Sequence, residues 1–232
     1  YRNNRLYRPL PLDATVRVTN GLPVLRLEVD TRDGGQRHWT PLVPDHGKLM
    51  HLFLIRDEAP DTFAHLHPIQ RAGRVFEAAL PPLPPGRYSV IADVTHESGF
   101  AQTLTAKAEL PEPSADFATV PPRAGASDPF CGVPVRRATG DDSATAFDSD
   151  DSWHFGDPLP ASGPDTCRLP GGYVMQWERT GALQTKHEAT LHFKVLKPEG
   201  TTAQLEPYIG MNGHAAVRRA DGGVFAHLHP VG

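Results

Sequence analysis

Phe63-Ala64-His65-Leu66-His67-Pro68 is repeated without change as Phe225-Ala226-His227-Leu228-His229-Pro230. Upstream of each copy stands another histidine, His51 before the first and His214 before the second. The intervening segments also align. Gly47-Lys48-Leu49-Met50-His51-Leu52-Phe53-Leu54-Ile55-Arg56 matches Gly210-Met211-Asn212-Gly213-His214-Ala215-Ala216-Val217-Arg218-Arg219. A duplicated module carrying a duplicated chemical feature is the simplest reading. The links, Asp57 to Asp61 and Ala220 to Gly223, carry Asp, Pro and Gly between strand-like runs, so each copy reads as a β-hairpin.

The register follows from counting outward. With Arg56 facing Thr62, His51 lies opposite His67. With Arg219 facing Val224, His214 lies opposite His229. Side chains alternate along a strand, so His65 shares a face with His67 and His227 with His229. Cross-strand partners hold their Cβ atoms about 4.5–5.5 Å apart, so three imidazoles crowd one patch in each copy. A metal takes imidazole nitrogens at about 2.0–2.1 Å, and each patch can close around one ion. The competing reading is a hydrogen-bonded histidine cluster that braces the strand ends. Pro68 and Pro230 end their strands, because proline cannot donate to the ladder, and so put the histidines at a sheet rim. His96, in Thr95-His96-Glu97, is expected as a fourth ligand of the first site. Met50 should face away from His51 and pack in the core.

The rest of the chain fits an all-β protein. Its 232 residues suffice for two modest domains, and 24 prolines with 21 glycines favour turns over helices. Strand-like runs are expected at 15–19, 23–31, 49–56, 62–67, 75–80, 87–95 and 103–110, and again at 172–179, 189–196, 205–210, 214–219 and 224–229. This spacing points to two tandem antiparallel β-sandwich domains. The expected division is an extended lead-in at 1–13, a first domain at 14–111, a loop-rich linker at 112–164 and a second domain at 165–232. Asp148, Asp150 and Asp151 lack the ordered spacing of a calcium loop and read as a solvated acidic stretch. The second domain has no equivalent of Arg87–Val94, so native residues past Gly232 or another segment are expected at its open edge.

A net charge of −4 without a basic stripe argues against nucleic acid. No apolar run spans a bilayer. Cys131 and Cys167 allow one disulfide in an oxidising compartment or two free thiols in loops. No Cys-x-x-Cys-His attaches a haem, and no nucleophile elbow or phosphate loop is present.

Asp45-His46-Gly47-Lys48-Leu49-Met50-His51-Leu52-Phe53, the first Phe-Ala-His-Leu-His-Pro, and Ala92-Asp93-Val94-Thr95-His96-Glu97-Ser98-Gly99-Phe100 resemble a group of secreted bacterial proteins associated with copper handling. Asp150-Asp151-Ser152-Trp153 and Leu205–Ala215 resemble their second half. The resemblance implies export to the periplasm or beyond and a cupredoxin-like or immunoglobulin-like sandwich. The leading expectation is an exported, non-enzymatic protein holding copper or zinc at His51, His65, His67 and His96 and at His214, His227 and His229. The alternative is an accessory subunit docked on a membrane-bound complex through its basic, aromatic N-terminus or the edge of its second domain. An enzyme is the third reading: the residues after each His-x-His pair lack the glutamate that cupin oxygenases place there.

Overall fold

The computed structural model describes residues 9–19, 22–31, 39–58, 61–112, 148, 150–155, 161–163, 165–179, 181–184, 186–219 and 221–230. The chain forms two compact units, Tyr1–Ala124 with Phe130–Gly156, and Gly125–Pro129 with Asp157–Gly232. Both are built from antiparallel strands, as the alternating sequence runs require.

In the first unit, β1 (Leu12–Thr19), β2 (Leu22–Val29), β6 (Ile69–Ala72) and β7 (Val75–Ala79) form a sheet in the order β1-β2-β7-β6. A second sheet runs β10-β5-β4-β8, from β10 (Ser152–Phe155), β5 (Thr62–Leu66), β4 (His51–Arg56) and β8 (Gly86–His96). Strand β9 (Ala101–Leu110) pairs the other edge of β8, and β3 (Leu42–Val43) pairs the end of β8 at Thr95 and His96. One core joins the sheets. Leu25, Leu27, Val29 and Phe76 come from the first, and Leu52, Leu54, Leu66, Val90 and Leu104 from the second. Each fully buried side chain of this kind contributes about 1.5–3 kcal/mol. Met50 is fully buried in the same core, as alternation with His51 demands.

The second unit holds a four-stranded sheet of β11 (Ala161–Gly163), β12 (Thr166–Arg168), β13 (Val174–Trp177) and β14 (Phe193–Leu196). A separate hairpin joins β15 (Ala215–Arg218) to β16 (Phe225–Leu228). Side chains here are half-buried or exposed throughout the described residues from 165 to 230. Its strands are therefore held by ladder bonds and local ring contacts, such as Trp177 on Phe193 at 6.0 Å between centroids.

Both hairpin registers are the expected ones. Phe53 pairs His65 and Leu52 pairs Leu66, which sets His51 against His67. Ala215 pairs Leu228, which sets His214 against His229. The turn that leads into each first strand is duplicated as well. Asp45 and Lys48 form a bridge around His46 (φ 48°) and Gly47 (φ 82°). Tyr208 and Met211 form the same bridge around Ile209 (φ 51°) and Gly210 (φ 76°). Two successive left-handed residues between bridged partners make a type I′ turn, and glycine takes the second position at no steric cost.

Three expectations need correction. The stretch 112–164 is not linker throughout: Ser152–Phe155 is a strand of the first unit, paired Ser152 to His65 through Phe155 to Thr62. Ser-Trp-His-Phe is short and follows an acidic run, which hid its alternation. The expected strand at 205–210 is instead the approach to the Tyr208–Met211 turn. Strand β1 begins inside the expected lead-in, with Leu10 and Leu12 already buried. The basic, aromatic residues 1–8 and Cys131 lie outside the described residues, so the proposed anchor and the Cys131–Cys167 pairing do as well. No helix among the described residues is long and apolar enough to cross a membrane.

Candidate metal centre

Each hairpin brings its three histidines together. In the first unit, His51, His65 and His67 each offer a ring nitrogen within 4.8 Å of the others, and all three residues are buried. In the second, His214, His227 and His229 do the same from half-buried positions. The ring arrangements nearly coincide. The first pair stacks at 5.2 Å and 26° (His51–His65), the second at 5.4 Å and 28° (His214–His227). The opposed histidines meet edge to face at 5.2 Å and 82° in one unit and 5.1 Å and 83° in the other. The His-x-His partners stand 4.6 Å and 4.5 Å apart and differ in tilt, 61° in the first unit and 85° in the second.

Hydrogen bonds fix the protons in the first triad. His51 Nε2 lies 3.2 Å from the Asp45 carbonyl, which can only accept, so Nε2 carries the proton and the neutral ring keeps its lone pair on Nδ1. That Nδ1 accepts from His65 Nε2 at 3.0 Å, so His65 would shift its proton to Nδ1 for an ion to take this place. His67 Nδ1 lies 3.1 Å from Asp151 Oδ1 and donates to it. The same oxygen accepts the His67 backbone N–H at 2.8 Å. His67 Nε2 is buried and has no hydrogen-bond partner among the described residues. Buried nitrogens are ordinarily paired, so this atom calls for an explanation. Phe53 closes the back of the site, stacked on His65 at 4.6 Å and 8°.

This donor set suits a metal ion. His51 Nδ1, His65 Nε2 and His67 Nε2 are the atoms that would hold it. Two nitrogens on one tetrahedral ion stand about 3.3 Å apart, near the 3.0 Å separation of His51 and His65. Asp151 behind His67 and the Asp45 carbonyl behind His51 supply the outer partners that ligating imidazoles commonly have.

His96 is not brought to the triad. Its Nδ1 faces the Thr40 hydroxyl at 2.9 Å and its Nε2 the Gln102 carbonyl oxygen at 3.0 Å, and Trp39 meets its ring edge to face at 5.1 Å. Three residues beyond Asp93, the partner of His51, it braces the β3–β8 corner. Asp151, in contrast, expected in a solvated acidic stretch, is buried. No local pattern marks it, since 84 residues separate it from the ring it orients. Lys48 anchors the same acidic run, 2.5 Å from Asp148 and 2.8 Å from Asp150. Burial pushes the Asp148 carboxyl up, but the hydrogen bond from Lys48 and the Asp150 backbone amide outweigh it and hold the group below its ordinary range.

Residues 168–232 match a family model described as a domain of unknown function, DUF8832. The match contains the second triad and none of the first. No curated protein matches the chain, and no solved structure does.

Proposed function

We propose that the chain is a metal-binding protein with two equivalent three-histidine centres, one in each unit, and that its role is to hold the ion rather than to catalyse a reaction. The observation that carries this is the His67 ring. Its Nδ1 is committed to Asp151, while its Nε2 is buried beside two further imidazole nitrogens without a hydrogen-bond partner. A brace would pair that atom; a ligand leaves it for the ion. Neutral imidazole suits copper, zinc and nickel, and copper or zinc is our assignment. Neither histidine group includes a cysteine, so a blue-copper electron-transfer centre is not the model we favour. Export to the periplasm or beyond belongs to the same proposal and rests on the resemblance of the histidine motifs to secreted proteins.

Elemental analysis of tag-free protein tests the reading. Two equivalents of copper or zinc are expected in the wild type and none in His67→Ala/His229→Ala with its fold retained. Unchanged metal content in the double variant refutes the ligand assignment.

The hairpin β15–β16 favours a second reading, an accessory subunit. Its counterpart β4–β5 is flanked by β8 and β10, whereas β15–β16 forms a two-stranded sheet with Val217, Val224 and Leu228 exposed. Paired edges are the rule in native sheets, so this hairpin suits docking on a partner strand. Co-purification as a stable complex that is lost on Val217→Lys supports that role.

A further inference from the structure

The acidic residues Asp148, Asp150 and Asp151 lie against the first triad and its entry turn. They open a strap that pairs with β5 and is held by the turn ahead of β4. We propose that this strap, residues 148 and 150–155, is a latch on the first centre. Asp151 is the positioning residue for His67, so metal occupancy and strap docking are thermodynamically linked. The inference rests on the reading of His51, His65 and His67 as ligands.

Three attachments carry it. The β10–β5 ladder places Ser152 opposite His65 itself. One residue earlier, Asp151 receives both the backbone N–H and the ring Nδ1–H of His67 on a single oxygen. Its other oxygen accepts the Asp148 backbone N–H at 3.0 Å, which ties the carboxylate's orientation to the bend of the strap. From the turn ahead of β4, Lys48 reaches Asp148 and Asp150. Lys48 closes the type I′ turn that leads to His51. A docked strap therefore fixes the approach of His51 and the ring plane of His67 together.

The chemistry makes the link reciprocal. A carboxylate accepting from Nδ1 raises the basicity of Nε2, the atom that would bind the metal. A cation on Nε2 makes Nδ1–H a stronger donor to that carboxylate. Whatever free energy the docked strap adds to metal binding, metal adds to strap docking.

The test uses the full chain with Zn²⁺ as the probe. Affinity is measured by competition with a chromophoric chelator, and hydrogen exchange is followed at residues 152–155 with and without Zn²⁺. The wild type should take two equivalents, and Zn²⁺ should slow exchange in β10. Asp151→Ala should weaken one of the two sites by about 10–100-fold, leave the other unchanged and abolish the effect on β10. Lys48→Met keeps every histidine and Asp151, and should weaken the same site by a smaller factor. Two unchanged affinities in Asp151→Ala overturn the inference, as does wild-type binding of two equivalents with no slowing in β10. Should Asp151→Ala fail to fold, Lys48→Met decides: an unchanged affinity and exchange pattern overturns the link. A wild type that takes up no Zn²⁺ overturns the metal reading itself, a result distinct from either.

Discussion

Replacing His67 by leucine separates a metal centre from a structural brace, because the two readings assign opposite values to the same ring. In the metal-free protein the imidazole gives one good bond, Nδ1–H to the Asp151 carboxylate at 3.1 Å. A hydrogen bond to a charged group contributes about 1.5–3 kcal/mol. Against this stands Nε2, buried without a hydrogen-bond partner, which costs about 1–3 kcal/mol. Leucine removes both terms and fills a similar volume. Asp151 is not orphaned by the change, since its oxygens keep the backbone N–H of residue 67 and that of Asp148. The two terms nearly cancel, so His67→Leu should shift metal-free stability of the first unit by about 1 kcal/mol or less. Metal should tell the variant apart. At a free concentration of 100 times Kd, a bound ion stabilises its unit by about 2.7 kcal/mol, and the variant should lose that increment. The assay is urea unfolding with and without chelator. Amide exchange in β4 and β5 reports the first unit separately, because two units need not unfold together. A brace behaves otherwise: a ring with both nitrogens paired would forfeit about 1.5–3 kcal/mol for the bond to the carboxylate and about 0.5–1.5 kcal/mol for the other. A loss of that size in chelator, with no metal-induced gain in the wild type, refutes the reasoning.

Gly47→Ala and Gly210→Ala should each cost about 1–2 kcal/mol, read by chemical denaturation, because the left-handed conformation penalises a Cβ; open space surrounds the place each Cβ would take, so a loss well above that range refutes the backbone account. Acid should loosen the strap. Asp148 sits below its ordinary value of 3.8 in the folded state, so its contribution is complete above that pH and is lost as pH falls through the depressed folded value. Amide exchange at 152–155 should therefore accelerate only in that acid range, and Lys48→Met should move the acceleration toward pH 3.8; acceleration centred near pH 6 would assign the effect to other groups.

The parts of the molecule that sequence made legible were those governed by local periodicity. Alternation placed Met50 in the core, facing away from His51, and counting outward from each hairpin turn set His51 against His67 and His214 against His229. The duplication doubled that evidence. What sequence concealed depends on contacts between distant segments. Nothing near Asp151 says that it will meet a histidine 84 residues earlier. The four-residue strand Ser152–Phe155 is too short for its pattern to stand out. His96 looked like a ligand because it lies near the hairpin in the β8 ladder. Only the positions of Thr40 and Gln102 reveal that its nitrogens are engaged elsewhere.

The distance along the chain between His67 and Asp151 also orders events in time. At about 5–20 residues per second, a ribosome needs roughly 4–17 s to add the 84 residues between them. During that interval a nascent hairpin already carries three imidazoles without the carboxylate that later steadies one of them. On the latch proposal, an ion that arrives in that interval meets the weaker, unlatched form, and the emergence of Asp151 then secures it.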